Sequence, residues 1–229
     1  MATHLDLEEQ EQLDQLKHFW NQWGTAITAV LMVAAVSVAG WNGYQFWQHR
    51  QSAQASVLFD EVDRATLAGD TTRVERAFSD IRDKFGGTVY AQQAGLAAAK
   101  ALYDKGNTDG AKAALGWVAD KGGDAGLQAI ARLRLAAILM DAKAYDEALR
   151  QVDTALPPEF AALGADRKGD ILALQGKKTE AAAAYTTAWK GMEETDPYRR
   201  LVEVKLNALG VDPRASASPS AAPAAEVKS

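Results

Sequence analysis

Hydrophobic and polar positions follow two different patterns along the 229 residues of the chain. Residues 18–49 contain no Asp, Glu, Lys or Arg, and residues 24–40 offer only three hydroxyl side chains, Thr25, Thr28 and Ser37. From about residue 50 onward, apolar residues recur at helical spacing between charged ones. The first pattern predicts one long apolar helix, and the second predicts a series of shorter amphipathic helices.

The apolar run has three possible interpretations: a membrane anchor, a cleaved export signal or a buried core helix. Residues 23–47 would measure about 35 Å as a helix, enough to cross a hydrocarbon layer of about 30 Å. Ser37-Val38-Ala39 resembles a signal cleavage site, but the preceding segment is acidic, whereas export signals begin with positive charge. The pattern therefore favours a permanent transmembrane helix over residues 23–47.

Aromatic residues at both ends of the run favour the same interpretation. Amphipathic rings concentrate at the membrane–water interface, and we predict that five of them act as interface anchors: Trp20, Trp23, Trp41, Tyr44 and Trp47. The flanking charges, Lys17 on one side and Arg50 and Arg64 on the other, are too few to give the orientation. The acidic segment before the span is either an amphipathic helix, with Leu13, Leu16 and Trp20 on one face, or a solvated tail.

The rest of the chain contains a repeat. Taking Gly69, Gly106, Lys143 and Gly176 as equivalent turn positions gives spacings of 37, 37 and 33 residues, which is typical of helix-turn-helix repeats. The residues seven positions before and five positions after each turn position are small or medium in size. Those four positions before it and nine positions after it are mostly larger. Stacked helix pairs need this alternation, because their helices must approach closely while larger side chains fill the layer between pairs.

The repeats predict an all-α fold, a tetratricopeptide-like α-solenoid over residues 48–211 after the transmembrane helix. The expected helix pairs are 50–68 with 71–85, 88–105 with 108–121, 124–142 with 145–156, and 159–175 with 178–192. A last helix at about 195–209 would cover the end of the stack. The Pro-, Ala- and Ser-rich residues 212–229 are predicted to be disordered.

Composition and charge exclude several classes of function. The net charge is −5 and no long basic run occurs, so nucleic acid is not an expected partner. The chain has no cysteine, and its three histidines all precede residue 50. We therefore expect no enzyme, no metal site and no cofactor in the repeats. Asp63, Asp166 and Asp170 are interpreted as solvated residues on first helices rather than as cation ligands.

The predicted function is recognition, since solenoids bind partners on a concave face lined by the first helix of each pair. The apolar residues ten and three positions before the turns are the candidate polypeptide-binding residues: Phe59, Leu96, Tyr103, Leu133 and Met140. Such a strip suits an extended polypeptide. The alternative is that several of these side chains belong to the core.

These features together resemble a known family, the ancillary SecYEG translocon subunits (YfgM-like proteins). The resemblance includes the short acidic N-terminus leading into "LKHFWNQWG", the single span ending in "GWNGYQFWQHR", and the repeat "ADRKGDILALQGKKTEAAAAYTTAW" over residues 165–189. It implies a single-pass type II protein of the bacterial inner membrane, with residues 1–22 as a cytoplasmic tail and the repeats in the periplasm.

The resemblance also implies partners. They are the SecYEG translocon, the lipid bilayer, a membrane-anchored periplasmic chaperone of the prolyl-isomerase type, and unfolded exported polypeptides. The function it implies is a non-enzymatic adaptor that passes exported chains to periplasmic chaperones. A structural scaffold of an envelope complex that binds no clients is the alternative.

Overall fold

The computed structural model describes residues 7–214, with side chains from Leu13 onward. Over this range the chain forms nine α-helices and no β-strand, which confirms the predicted all-α class. The chain divides into two compact units between Ala53 and Gln54, and each is described by itself. Residues 1–6 of the predicted acidic tail and residues 215–229 of the predicted disordered tail lie outside the described residues.

The N-terminal unit is formed by the first part of α1, which runs from Leu7 to Ala68 without interruption. The acidic segment is therefore helical from Leu7, as one of its two interpretations held. Inside the apolar stretch, Thr28 donates a hydrogen bond to the carbonyl oxygen of Gly24 (2.5 Å), and Ser37 donates one to that of Val33 (2.8 Å). These bonds satisfy both hydroxyl donors within the helix, which lowers the cost of placing them in a lipid environment.

The second unit begins in α1 at Gln54 and consists of helix pairs joined by tight turns. Its helices are α2 (Thr71–Phe85), α3 (Val89–Asp104), α4 (Thr108–Lys121), α5 (Ala125–Asp141), α6 (Tyr145–Val152), α7 (Pro158–Leu174), α8 (Lys178–Gly191) and α9 (Pro197–Ala208). The predicted pairs are confirmed to within a few residues. The largest difference is α6, which ends at Val152 instead of residue 156. Leu156, directly before Pro157, is biased away from helical geometry, which excludes it from the helix.

The turn within each pair has left-handed backbone geometry at the predicted position. Gly69, Gly106 and Gly176 have φ between +67° and +82°, and Lys143 has φ +59°. At each turn, the next residue donates a backbone hydrogen bond to the carbonyl four residues before the turn position, as Asn107 does to Leu102 (2.8 Å). This closure satisfies carbonyls that the helix end would otherwise leave unpaired. Lys143 adopts the geometry without the freedom of glycine.

Close helix approach explains the small positions of the repeat. The predicted small and large positions are buried in all four repeats. The nearest approach is at Gly169 in α7, where a Cβ atom would overlap the ring of Tyr185 in α8. Gly95 in α3 has a similar role, since a Cβ there would lie 2.5 Å from Cγ2 of Val118.

The buried side chains form two clusters. The larger extends from Ala55 in α1 to Ile171 in α7, and the smaller extends from Leu172 in α7 to Leu206 in α9. Neighbouring residues of α7 thus belong to different clusters.

The helix α9 is the first helix of a fifth repeat. It ends in the same turn, with Gly210 at φ +80° and Val211 donating to the carbonyl of Leu206 (3.0 Å). Its buried residues Val202 and Leu206 pack into the smaller cluster, so the predicted cap of the stack is confirmed. Beyond α9, Arg214 pairs with Glu203 (2.8 Å), which adds a charged contact at this end of the stack.

Candidate functional site

The predicted polypeptide-binding residues differ in how far they are exposed. Leu96 lies in the core with 8% of its surface exposed. Phe59, Leu133 and Met140 are half-buried against the core, and the Phe59 ring packs against Tyr90 with 6.0 Å between centroids. Tyr103 is 38% exposed. Of the five, Tyr103 is therefore the one most available to a partner.

Other exposed apolar residues share the face on which Tyr103 lies. In the described part of the repeats, every large apolar side chain that is exposed lies on a first helix, and none lies on α2, α4, α6 or α8. Seven of them fall within an arc of about 120° when the first helices are aligned on their turns: Leu67, Val89, Tyr103, Leu163, Leu174, Leu201 and Val204. We call this arc the first-helix face. The exposed apolar side chains make this face the candidate interaction surface.

A pocket opens on the first-helix face between α3 and α5. Its volume is about 330 Å³, and its wall is mainly apolar: Ala99, Tyr103, Leu115, Ala137 and Ile138. Lys100 and Arg134 stand at its rim. The Tyr103 hydroxyl donates a hydrogen bond to Oδ2 of Asp141 (2.7 Å) at the end of α5, and this bond fixes the ring at the mouth of the pocket.

A larger pocket of about 600 Å³ lies at the C-terminal end of the stack. Its charged lining is balanced, because three arginines face three carboxylates: Arg199, Arg200, Arg214, Glu194, Asp196 and Glu203. The guanidinium of Arg199 lies 4.0 Å from the ring centre of Trp189. The pocket is lined by the connection between α8 and α9, by the first half of α9 and by Arg214.

A buried polar cluster joins α7, α8 and α9. The Lys205 ammonium lies 2.8 and 2.9 Å from the two carboxylate oxygens of Asp166 and 2.7 Å from Oδ1 of Asp170. The Tyr198 hydroxyl donates to Asp166 and the Tyr185 hydroxyl donates to Asp170, both at 2.8 Å. Asp166 is only 2% exposed, so its interpretation as a solvated residue was wrong, because α9 covers it.

The predicted membrane-interface residues are all exposed along α1. Trp20, Trp23, Trp41, Tyr44 and Trp47 keep between 52% and 63% of their surfaces accessible. The helix that carries them is long and apolar enough to cross a membrane.

The described residues contain no group of three or more His, Cys, Asp or Glu side chains that could hold a metal ion.

Comparison with known proteins places this architecture in a family. A family model described as a tetratricopeptide repeat-like domain matches residues 17–211. The ancillary SecYEG translocon subunit of Neisseria gonorrhoeae (strain ATCC 700825 / FA 1090) is 35% identical over 166 residues, which cover 71% of this chain and 79% of that protein. The chain belongs to the ancillary SecYEG translocon subunit family. The protein of the same name from Escherichia coli (strain K12) is 30% identical over 123 residues, covering 54% of this chain and 59% of that protein.

In this member of the ancillary translocon subunit family, sequence reasoning missed the polar cluster. Asp166 occupies the repeat position at which Phe59, Leu96 and Leu133 stand in the other repeats. A carboxylate at a position that is apolar elsewhere was the available signal. Its cation, Lys205, is 39 residues away, and helical periodicity alone does not pair residues so far apart.

The two tyrosines of the cluster make the C-terminal end of this translocon-subunit homologue sensitive to alkali. Burial, followed by the hydrogen bond to Asp166, raises the pKa of Tyr198 to about 12. Burial and the bond to Asp170 raise the pKa of Tyr185 above its usual value. Because the folded state favours the neutral phenols, their stabilisation is complete below about pH 10 and is lost as the pH rises through about 12.

We expect the wild type to lose more stability between pH 9 and 12 than the Tyr185→Phe/Tyr198→Phe variant, because the variant lacks the two cluster phenols whose ionisation the folded state opposes. Thermal melts of the full chain in detergent, followed by circular dichroism, measure the difference. Tyr90→Phe, outside the cluster, is the matched control and should follow the wild type. Parallel losses in the wild type and the double variant would contradict the prediction.

Proposed function

We propose that the protein is a non-enzymatic, membrane-anchored adaptor at the SecYEG translocon, and that it helps pass exported polypeptides to periplasmic chaperones. The observation that carries the proposal is the first-helix face, where exposed apolar side chains collect on a member of the ancillary SecYEG translocon subunit family. Extended polypeptides expose apolar side chains at intervals, and apolar side chains that share a face can bind many sequences weakly.

Membrane anchoring would allow weak contacts with exported polypeptides to suffice. In the proposal, α1 crosses the inner membrane with the N-terminus in the cytoplasm, and the repeats lie in the periplasm. The apolar stretch of α1 and its exposed aromatic residues support the membrane location. Confinement near the translocon raises the effective concentration of the repeats around an emerging chain, so that low affinity suffices for capture and release.

The partners follow from the same proposal. They are the translocon, the bilayer, unfolded exported polypeptides, and a membrane-anchored periplasmic chaperone of the prolyl-isomerase type that receives the chain. A scaffold that only holds stable subunits together is the second candidate, and the extended stack of repeats favours it as much as it favours an adaptor.

Photo-crosslinking separates the two candidates. A photoreactive residue at Tyr103, on the first-helix face, should crosslink to newly exported chains. The same residue at Ala113, which is exposed on the second helix α4 of the same repeat, should not. In the same cells, protease added to spheroplasts should digest the repeats.

Crosslinks from position 103 to stable membrane subunits alone would favour the scaffold. Protection of the repeats from the added protease would overturn the periplasmic orientation.

A further inference from the structure

The pocket between α3 and α5 has a chemistry more specific than that of the rest of the first-helix face. We propose that it binds one apolar side chain of an exported polypeptide at a position where a carboxylate stands next to it in the client sequence. The inference rests on the proposed function, and it names the class of segment that the first-helix face selects.

The wall of the pocket favours an apolar side chain. Ala99, Leu115, Ala137 and Ile138 present aliphatic surface, and the exposed Tyr103 ring closes one side. A volume of about 330 Å³ stands at the lower end of the range for ligand pockets, about 300–1,000 Å³. It suits one or two side chains of a polypeptide and is too small for a large cofactor.

The rim of the pocket favours a carboxylate next to that apolar side chain in the bound polypeptide. Lys100 already pairs with Asp104 (2.5 Å), so much of its charge is balanced. Within the described chain, no hydrogen bond or ion pair engages the side chain of Arg134, which is exposed at the pocket. Its guanidinium is therefore available to a carboxylate, which it can bind in a two-pronged geometry.

The remaining acid near the pocket does not cancel this attraction. Asp141 lies seven residues after Arg134 on α5, about 10 Å along the helix axis. That separation is about one screening length at physiological salt. The Asp141 carboxylate also accepts the Tyr103 hydroxyl. A carboxylate bound at Arg134 is thus closer to a positive charge than to a negative one.

Labelled Gly/Ser peptides with one Leu-Glu pair, one Leu-Lys pair or one Ser-Glu pair test the proposal. They are titrated against the full chain in phosphatidylcholine nanodiscs, with fluorescence anisotropy as the readout. The wild type should bind Leu-Glu about fivefold more tightly than Leu-Lys, as one exposed ion pair permits, and more tightly than Ser-Glu. Arg134→Glu should reverse the Leu-Glu and Leu-Lys preference.

Arg150→Glu, at an exposed position on α6, is the matched control and should keep the wild-type preference. Both arginines are exposed, so we expect both variants to fold. A thermal melt of each variant verifies this. An unfolded exported protein, titrated in parallel, reports on the proposed function itself.

If the unfolded protein binds but the peptides show no preference, or Arg134→Glu preserves the preference, the inference about the pocket is wrong and the adaptor function stands. If neither the unfolded protein nor any peptide binds, the adaptor function fails as well.

Discussion

Replacing Lys205 with methionine is expected to destabilise the repeat domain by about 3–5 kcal/mol, the usual effect of breaking a buried ion pair. The ammonium lies within 2.9 Å of carboxylate oxygens of both Asp166 and Asp170. Without it, Asp166, with 3% of its side chain exposed, would keep a buried charge whose remaining hydrogen-bond donor among the described residues is the Tyr198 hydroxyl. Urea unfolding of the full chain in detergent, followed by circular dichroism, measures the loss.

Two further variants separate charge from packing. Lys190→Met changes an exposed lysine near the end of α8 and should cost less than about 0.5 kcal/mol. Adding Asp166→Asn to Lys205→Met removes the uncompensated charge, and it should recover much of the lost stability. If Lys205→Met were as stable as Lys190→Met, the cluster would contribute nothing to holding α9.

Placing a leucine at Gly169 is expected to destabilise the protein by about 3 kcal/mol, at the upper end of the usual range for overpacking. Even a Cβ atom at this position would overlap the Tyr185 ring. The ring is buried and its hydroxyl is bound to Asp170, so it cannot move aside without breaking that bond. The same urea titration measures the effect.

Tyr185→Ala supplies the test of mechanism, because it removes the ring that the new side chain would meet. In that background, Gly169→Leu should cost much less than in the wild type, giving a favourable coupling in a double-mutant cycle. Gly116→Leu is the control. A Cβ at Gly116 in α4 meets no atom within 4 Å, so the substitution should be neutral or stabilising through helix propensity. Equal costs at Gly169 in both backgrounds would contradict the close-approach argument.

The sequence predicted the repeats well because their geometry is set by local rules. Left-handed turns at Gly69, Gly106 and Gly176 follow from glycine, and even Lys143 was placed correctly by its register with them. The buried positions seven before and five after each turn follow from the period. These features depend on contacts between neighbouring helices, which a repeat spacing encodes directly.

The candidate site was predicted less completely, because register gives the face of a helix and not the depth of a side chain in the fold. Leu96 and Tyr103 lie on the same face by spacing, yet Leu96 is buried and Tyr103 is exposed. The pocket beside Tyr103 also needs Arg134 and Ile138 from the next repeat. The position of the pocket depends on how α3 packs beside α5, and the hydrophobic pattern of one helix carries no information about that packing.

The boundary between the two core clusters lies within one helix, α7, which therefore packs into both. Ile171 belongs to the larger cluster and Leu172 to the smaller, and in repeat proteins each repeat is stabilised mainly by its neighbours. Local unfolding of α8 and α9 is therefore expected to leave the larger cluster, around the pocket between α3 and α5, in place. Proteolysis that removed α8 and α9 is therefore expected to shorten the stack while the pocket between α3 and α5 persists.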